Sequence, residues 1–278
     1  MVISTPHYLH EPLTVQAAEA GKHVMCEKPI ACTLGVQADR LIEACREAGV
    51  LLSINLITRY SAVTCKGRDL VDQGVVGKIL GLQFHVMVDK PTSYWSGGYS
   101  GRVKTDWRPS VEQSGGGVLV MNLVHDIDRF RYMTGLEVVR AYSEYDTFVT
   151  DVEVEDYIAV TYRYNNGVTG NATASSCAKG RGGTGNRILG AERQILFDSP
   201  RLRVFNTGDF ECLVAGEWND IEVDLEQDDR QVYTEKFSEA VFSGKEPDIP
   251  GMEGRKTLEA IVAAYRSGER NQAVDLPL

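Results

Sequence analysis

The sequence predicts an α/β fold in two unequal parts: a partial Rossmann unit (doubly wound parallel sheet), then an α+β domain with an open, mostly antiparallel sheet. Three observations carry this. Residues 1–60 alternate short apolar runs with helical stretches, the middle of the chain alternates apolar and polar residues, and residues 230–267 read as helices. Strand–helix–strand order demands parallel pairing with right-handed crossovers, because the chain must return across the sheet before it can pair again. Period-two alternation marks antiparallel strands with one covered face.

Each element has a local reason. Val2-Ile3-Ser4-Thr5-Pro6 is an apolar run cut by proline, a strand ending in a loop. Residues 7–10 read as a polar loop and 11–20 as a helix, which Gly21 stops by taking a left-handed conformation. Residues 23–26 are a short buried strand. Residues 34–48 form an amphipathic helix with Leu34, Ala38, Leu41, Ile42 and Cys45 on one face, stopped by Gly49. Residues 50–56 are a further strand and 62–73 a helix. Strands follow over 79–88, 138–149, 157–164, 168–176, 187–197 and 201–206, and Asn165-Asn166-Gly167 is a hairpin turn because Asn and Gly accept positive φ. Helices are expected over 119–134, 230–243 and 251–267. The expected division is 1–60, the C-terminal half of a dinucleotide-binding domain, and 61–278, a substrate-binding and oligomerisation domain whose last helix can pack back on the first part.

The 278 residues carry 29 basic and 39 acidic side chains, a formal charge of −10. That balance opposes nucleic-acid binding, which needs a concentrated basic face. No apolar run approaches the roughly 20 residues that span a bilayer. With 43% hydrophobic and 24% charged residues, the chain has the composition of a globular protein, expected to be soluble and cytoplasmic. The six cysteines form no CxxC pair or Cys/His cluster, so free thiols and no metal site are expected, with Cys26 a small buried hydrophobe.

Two constellations can carry chemistry. Glu27-Lys28-Pro29 ends the second strand of the parallel part, and in open α/β sheets ligands bind beyond the carboxyl ends of the strands. Pro29 bars Lys28 from helical geometry, and a desolvated lysine exchanges protons near neutral pH. The alternative is a surface lysine before a turn. Gly115-Gly116-Gly117 precedes a helix containing Asn122 and His125, three apart on one face. The alternative there is a helix surface, His125-Asp126-Ile127-Asp128, in which the imidazole meets a carboxylate. Gly180-Arg181-Gly182-Gly183-Thr184-Gly185 satisfies GxGxxG but lies between strands, without the helix N-terminus that holds a pyrophosphate, and reads as a mobile loop.

In order along the chain, Ser4-Thr5-Pro6 with His10, Ala20-Gly21-Lys22-His23-Val24 leading to Glu27-Lys28-Pro29, Asn55, Arg59-Tyr60, Trp107-Arg108, Gly115-Gly116-Gly117 with His125 and Asp128, and Ala264-Tyr265-Arg266-Ser267 resemble the Gfo/Idh/MocA family of nicotinamide-dependent oxidoreductases. The resemblance implies a Rossmann domain followed by a sheet domain that mediates dimers or tetramers, NAD or NADP as cofactor, and oxidation of a sugar or polyol hydroxyl or the reverse reduction. It makes Lys28 the proton-transferring residue, with His125 sharing the relay. It implies that Thr5, Pro6, His10, Glu27, Lys28, Asn55, Trp107, Arg108 and Tyr265 line the cofactor.

The sequence departs from that pattern twice. The family commonly has an Asp four residues before the histidine, where this chain has Met121, so Asn122 is expected to supply the hydrogen-bonding part of that role and Lys28 to carry more of the chemistry. The first half of the dinucleotide domain, roughly 60–90 residues at about 30 per βαβ unit, does not precede Met1, so a truncated chain, an exposed sheet edge and weak or absent NAD(P) binding are expected. The competing readings are a non-catalytic sugar-binding or assembly protein and an NAD-retaining glycoside hydrolase. The substrate class is expected to be a small carbohydrate. The segment Tyr94-Trp95-Ser96-Gly97-Gly98-Tyr99 with Arg102 and Lys104 suits a sugar acid, with a solvated loop as the alternative.

Overall fold

A computed structural model describes residues 1–99, 101–102, 104–180, 185–198, 200–208, 210 and 213–278. The chain opens with strand β1 (Val2–Ile3), helix α1 (His10–Glu19), β2 (Val24–Cys26), helix α2 (Asp39–Glu47) and β3 (Leu52–Ile54). The three strands pair in parallel in the order β1-β2-β3. Gly21 and Gly49 end the two helices with φ of +67° and +65°, the left-handed geometry expected of them.

Helix α3 (Ala62–Asp72) leads to the second sheet, built from β4 (Ile79–Met87), β5 (Val138–Asp146), β6 (Tyr157–Tyr164), β7 (Thr169–Ser175), β8 (Asn186–Gly190), β9 (Gln194–Asp198), β10 (Arg201–Phe205) and β11 (Trp218–Ile221), with β12 (Val274–Asp275) at the end of the chain. Its order is β11-β10-β9-β8-β4-β7-β6-β5-β12. Only β4 and β7 pair in parallel; the other neighbours are antiparallel. The helices are α4 (Thr92–Gly97), α5 (Val111–Ser114), α6 (Val124–Thr134), α7 (Asp229–Ser243) and α8 (Gly251–Arg270).

Several local expectations change in the folded chain. Residues 187–197 are two strands rather than one, because Gly190 to Arg193 turn the chain: Gly190 N–H donates to the Arg193 carbonyl, and the Gly190 backbone packs against Val76 O where no Cβ fits. Residues 7–10 are a 3-10 turn running into α1, with His7 and His10 buried rather than solvated. Both long amphipathic helices begin with a wide π turn, Leu34–Ala38 before α2 and Leu119–Leu123 before α6. The glycine segment 180–185 lies outside the described residues at positions 181–184, as does Cys212.

Helix α8 reaches both sheets. At its N-terminal end Gly251 and Gly254 lie against Leu52, Ile42, Ile54 and Ile30, where a Cβ would approach to 2.7 Å. Further along, the Ser143 hydroxyl donates to the Ala264 carbonyl, and Gly268 lies against Tyr145. At the β3 edge, Ile54 N–H and the Ser53 hydroxyl donate to the Ile249 carbonyl. Val2 on β1 is exposed.

A buried ion network ties these pieces together. Arg59 holds Asp128 through two bonds of 2.8 and 2.6 Å and reaches Glu253 at 2.7 Å. Arg131 bonds Glu137 at 2.8 Å, the Thr257 hydroxyl at 2.9 Å and Glu253 at 3.3 Å. The Asp128 side chain is fully enclosed, and a carboxylate there is tolerable only because guanidinium and hydroxyl donors surround it. Asp128→Ala removes the bidentate partner of Arg59 and leaves it Glu253 alone, and its urea unfolding curve is expected to show a loss of about 3 kcal/mol.

Candidate active site

The site forms where the carboxyl end of β2 meets the start of α6. Lys28 is the second residue after β2, and its peptide bond to Pro29 is cis. The Lys28 ammonium donates 2.6 Å to the Met121 carbonyl in the π turn before α6. Burial pushes the Lys28 ammonium down to about 8, against the opposing pull of Glu27.

The residues around Lys28 are held by backbone and by one another. Glu27 accepts from the Asn55 amide at 2.6 Å and from the Lys28 N–H at 3.3 Å. His10, fully enclosed, places Nδ1 2.8 Å from the Pro29 carbonyl and Nε2 3.0 Å from the Thr5 carbonyl. The ring therefore sits between the two loops that follow β1 and β2, and its one N–H donates to one of the two carbonyls, since burial lowers its pKa and keeps it neutral. The Pro6 carbonyl closes the 3-10 turn by accepting from Leu9. His7, which the sequence reading left in a loop, sits 2.7 Å from the Ser114 carbonyl and 4.5 Å (ring centroids) from Trp107, and burial pushes it down to about 3.

The triple glycine has a specific structural task. Gly115 takes a φ of +81°. A Cβ on Gly116 would strike the Tyr265 hydroxyl at 2.1 Å, and one on Gly117 the Glu155 carbonyl at 2.0 Å. The Glu155 carboxylate accepts from Gly117 N–H at 2.7 Å, Leu119 N–H at 2.9 Å and the Tyr265 hydroxyl at 2.8 Å. The Tyr265 hydroxyl, expected at the cofactor, is thus bound to a buried carboxylate that positions the turn carrying Met121. Arg108 stacks on Trp107 and Tyr94, 4.7 and 5.1 Å from the ring centroids, and bonds the Thr105 hydroxyl at 3.3 Å.

His125 does not lie on a helix surface. Asp128 is committed to Arg59, and Asp126 to Arg129 and Asn186. Burial, then the charges of Lys28 and Arg129, lower its pKa well below the usual imidazole range, so the ring is neutral at pH 7. His125 Nδ1 and Asn122 Oδ1 are both buried without partners. So are Thr5 Oγ1 and Asn55 Oδ1. Buried polar atoms are nearly always paired; Asn55 is bonded to Glu27, Asn122 adjoins the Met121 that holds Lys28, and His125 feels the Lys28 charge, so their orphaned atoms mark a place that a polar ligand completes. These atoms fit the amide, ribose and hydroxyl groups that a nicotinamide cofactor and its substrate would bring.

Sequence reasoning missed Lys90, and singled out Tyr94 only as part of a segment suited to a sugar acid. Lys90 is 5% exposed, with its ammonium 3.8 Å from the Met121 thioether and 4.3 Å from the centre of the Tyr94 ring. The Tyr94 hydroxyl also reaches the Met121 sulfur, at 3.7 Å. Tyr94 and Trp95 lie buried in α4 rather than in a solvated loop, whereas Arg102 and Lys104 are exposed. A lysine beside a proline, Lys90-Pro91, repeats the pattern of Lys28-Pro29 and was the available signal. Among the described residues no cluster of His, Cys, Asp or Glu could hold a metal, and no helix is long and apolar enough to cross a membrane.

A parallel-sheet unit followed by a large open sheet, with a desolvated lysine where they meet, defines the architecture of a two-part dinucleotide-type oxidoreductase. Comparison with known proteins is specific. Residues 1–56 match the model of the oxidoreductase family with an NAD-binding Rossmann fold, and residues 66–196 match the GFO/IDH/MocA C-terminal domain. The chain belongs to the Gfo/Idh/MocA family. It is 33% identical over 168 residues to 1,5-anhydro-D-fructose reductase of Ensifer adhaerens, covering 60% of this chain and 47% of that protein. To scyllo-inositol 2-dehydrogenase (NAD(+)) of Bacillus subtilis it is 24% identical over 286 residues, covering 99% of this chain and 77% of that protein. The crystal structure of aldose-aldose oxidoreductase from Caulobacter crescentus, complexed with glycerol, superposes with a TM-score of 0.84 at 26% identity, covering 99% of this chain and 78% of that one. The chain spans about half the length of the first curated relatives it matches, 47% and 55%.

The lowered Lys28 pKa has a consequence for stability. The unfolded chain binds this proton up to the ordinary lysine pKa, the folded chain only up to about 8, so stability rises with pH between those values. Below that window the buried charge costs its full amount. Lys28→Met is therefore expected to raise the thermal midpoint at pH 7, and the gain is expected to shrink as pH climbs toward 10. A variant less stable than the parent at pH 7 would contradict the assignment of a desolvated ammonium.

Proposed function

We propose that this protein is an NAD(P)-dependent oxidoreductase acting on a hydroxyl or carbonyl of a sugar, polyol or sugar acid. The observation that carries this reading is the Lys28 amine, buried at the end of a parallel strand and bound to one backbone carbonyl, with orphaned polar atoms of Thr5, Asn55, Asn122 and His125 nearby. The family membership supports it, as do relatives whose names specify anhydrofructose, inositol and aldose chemistry. Residues 1–60 would serve the dinucleotide and 61–278 the substrate and self-association, as a homodimer or homotetramer through the large sheet. The proposed compartment is the cytoplasm.

A nicotinamide cofactor, when bound, accepts or donates the hydride. The rest falls to this chain. Lys28, neutral above about pH 8, removes the hydroxyl proton in the oxidative direction. Its bond to Met121 O fixes the direction of the amine, and the neutral His125 ring donates an N–H to the oxygen of the same hydroxyl. Asn122 Oδ1 accepts from a neighbouring hydroxyl of the substrate. Glu27 and Asn55, bound to each other, and Thr5, Pro6 and Trp107 form the wall against which the cofactor is held. Arg108 supplies the cation facing it.

The test is a direct assay of reduced nicotinamide formation with NAD+ and with NADP+ over a set of hexoses, inositols and sugar acids. Lys28→Ala is expected to lower kcat by about 10²–10⁴-fold with a smaller effect on cofactor affinity. In the parent, kcat/KM for oxidation is expected to rise with pH toward a plateau above about 8. Unchanged turnover in Lys28→Ala would remove Lys28 from the chemistry.

A further inference from the structure

Three cations meet around Met121 and Tyr94 in a chain whose net charge is −10. Lys28 and Lys90 approach Met121 at its two ends, the carbonyl and the thioether, and Arg108 stacks on the Tyr94 ring that also faces Lys90. Among the described residues none of the three forms an ion pair with a carboxylate. The acidic side chains nearby are otherwise engaged: Glu27 with Asn55, Glu155 with Gly117, Leu119 and Tyr265, and Asp89 with Lys179 at 2.7 Å.

Lys90 is the most exceptional of them. An ammonium group has three protons to donate, and this one meets a thioether and aromatic faces, both weak acceptors. Its backbone is fixed, since Lys90 N–H donates 2.8 Å to the Ser176 carbonyl. Beside it Trp95, also 5% exposed, has its indole Nε1 buried without an acceptor. Both residues line a cavity of about 610 Å³ that extends between α4, the loop around Thr105 and Pro109, and residues 149–152. Of the other carboxylates on that cavity, Asp106 and Asp151 are exposed, where water screens them. Lys90 and Trp95 thus bring to this cavity a buried ammonium with only weak acceptors and an N–H donor that has none among the described residues. A buried charge without a partner is unfavourable, and an incoming anion would supply both missing acceptors.

We propose that Lys90 and the Trp95 indole N–H form the carboxylate-holding subsite of the substrate pocket, so that the sugar acted on is a sugar acid. This rests on the oxidoreductase reading for what happens at Lys28, but the subsite stands on its own geometry. It moves the acid-binding role from Arg102 and Lys104, which are exposed, to a buried pair on the cavity wall. The groups facing the Lys90 ammonium are Lys28, Glu155, Arg108 and Cys177, and burial pushes its pKa down to about 7. An anion at this place stabilises the charged form, so binding at pH 8 draws a proton from solution.

Isothermal titration of the purified chain, with and without NAD+, tests this directly. The probes are glucuronate, galacturonate and gluconate, each against its neutral counterpart glucose, galactose or glucitol, with glucose 6-phosphate as a second anion. At least one acid is expected to bind about tenfold or more tightly than its neutral partner. At pH 8 its apparent enthalpy is expected to vary with the ionisation enthalpy of the buffer, showing proton uptake. In Lys90→Gln the preference is expected to fall toward unity and the uptake to vanish, and Lys90→Arg is expected to restore part of the preference. Lys90→Met serves as the neutral variant if Lys90→Gln does not fold. No preference for any acid, a preference that survives in the neutral variants, or tighter binding of the phosphate each overturns the proposal. Reduced nicotinamide formed only with neutral sugars overturns it while leaving the oxidoreductase reading intact. Acid binding that depends on Lys90 without any hydride transfer supports the subsite and removes the oxidoreductase reading instead.

Discussion

An ammonium group taken out of water and given one carbonyl to bind is the constraint around which this molecule is arranged. Lys28 can occupy its position only because the peptide after β2, the π turn at Leu119–Leu123 and the start of α6 converge there. Burial lowers the cost of releasing its proton, and the short contact with Met121 aims the amine. Every other feature of the site serves to keep that convergence in register.

Two buried polar systems do this. On one side the Arg59–Asp128–Glu253–Arg131 network joins the segment after β3 to α6 and to the first turns of α8. On the other, Glu155 gathers the N–H groups of Gly117 and Leu119 with the Tyr265 hydroxyl. The helix bearing His125 is therefore held from both ends. Burial raises the pKa of Glu155, while three donors favour its ionised form, so its charge state is tied to whether the glycine turn is intact. Replacement of either buried system by apolar side chains would have to recreate this geometry without directional bonds.

Met121, where the resemblance leads to the expectation of an aspartate, gains a physical meaning in this setting. Met121 offers its carbonyl to Lys28 and its sulfur to Lys90 and Tyr94, so the position still connects the active-site groups although it carries no charge. With no carboxylate there, the surroundings are more positive than they would otherwise be. Burial, then the charges of Lys28 and Arg129, keep His125 neutral, and burial lowers the Lys28 pKa against the pull of Glu27.

Much of this was legible in the sequence, because it rests on local rules. Gly21, Gly49 and Gly167 mark their turns through positive φ; the alternation in 157–164 gives a strand whose inward residues Ile158, Val160, Tyr162 and Tyr164 are buried; and Glu27-Lys28-Pro29 announces itself by its place after a strand. Other features depended on contacts between residues far apart in the chain. Nothing local shows that Gly190 must yield to Val76, that His10 lies between the Thr5 and Pro29 carbonyls, or that the Met121 carbonyl meets Lys28. Lys90 and Trp95 illustrate the point most plainly. In the sequence they stand in a polar, glycine-rich stretch that reads as a loop. Only the packing of α4 against Met121 removes them from water, and removal from water turns an ordinary lysine and tryptophan into unpaired donors.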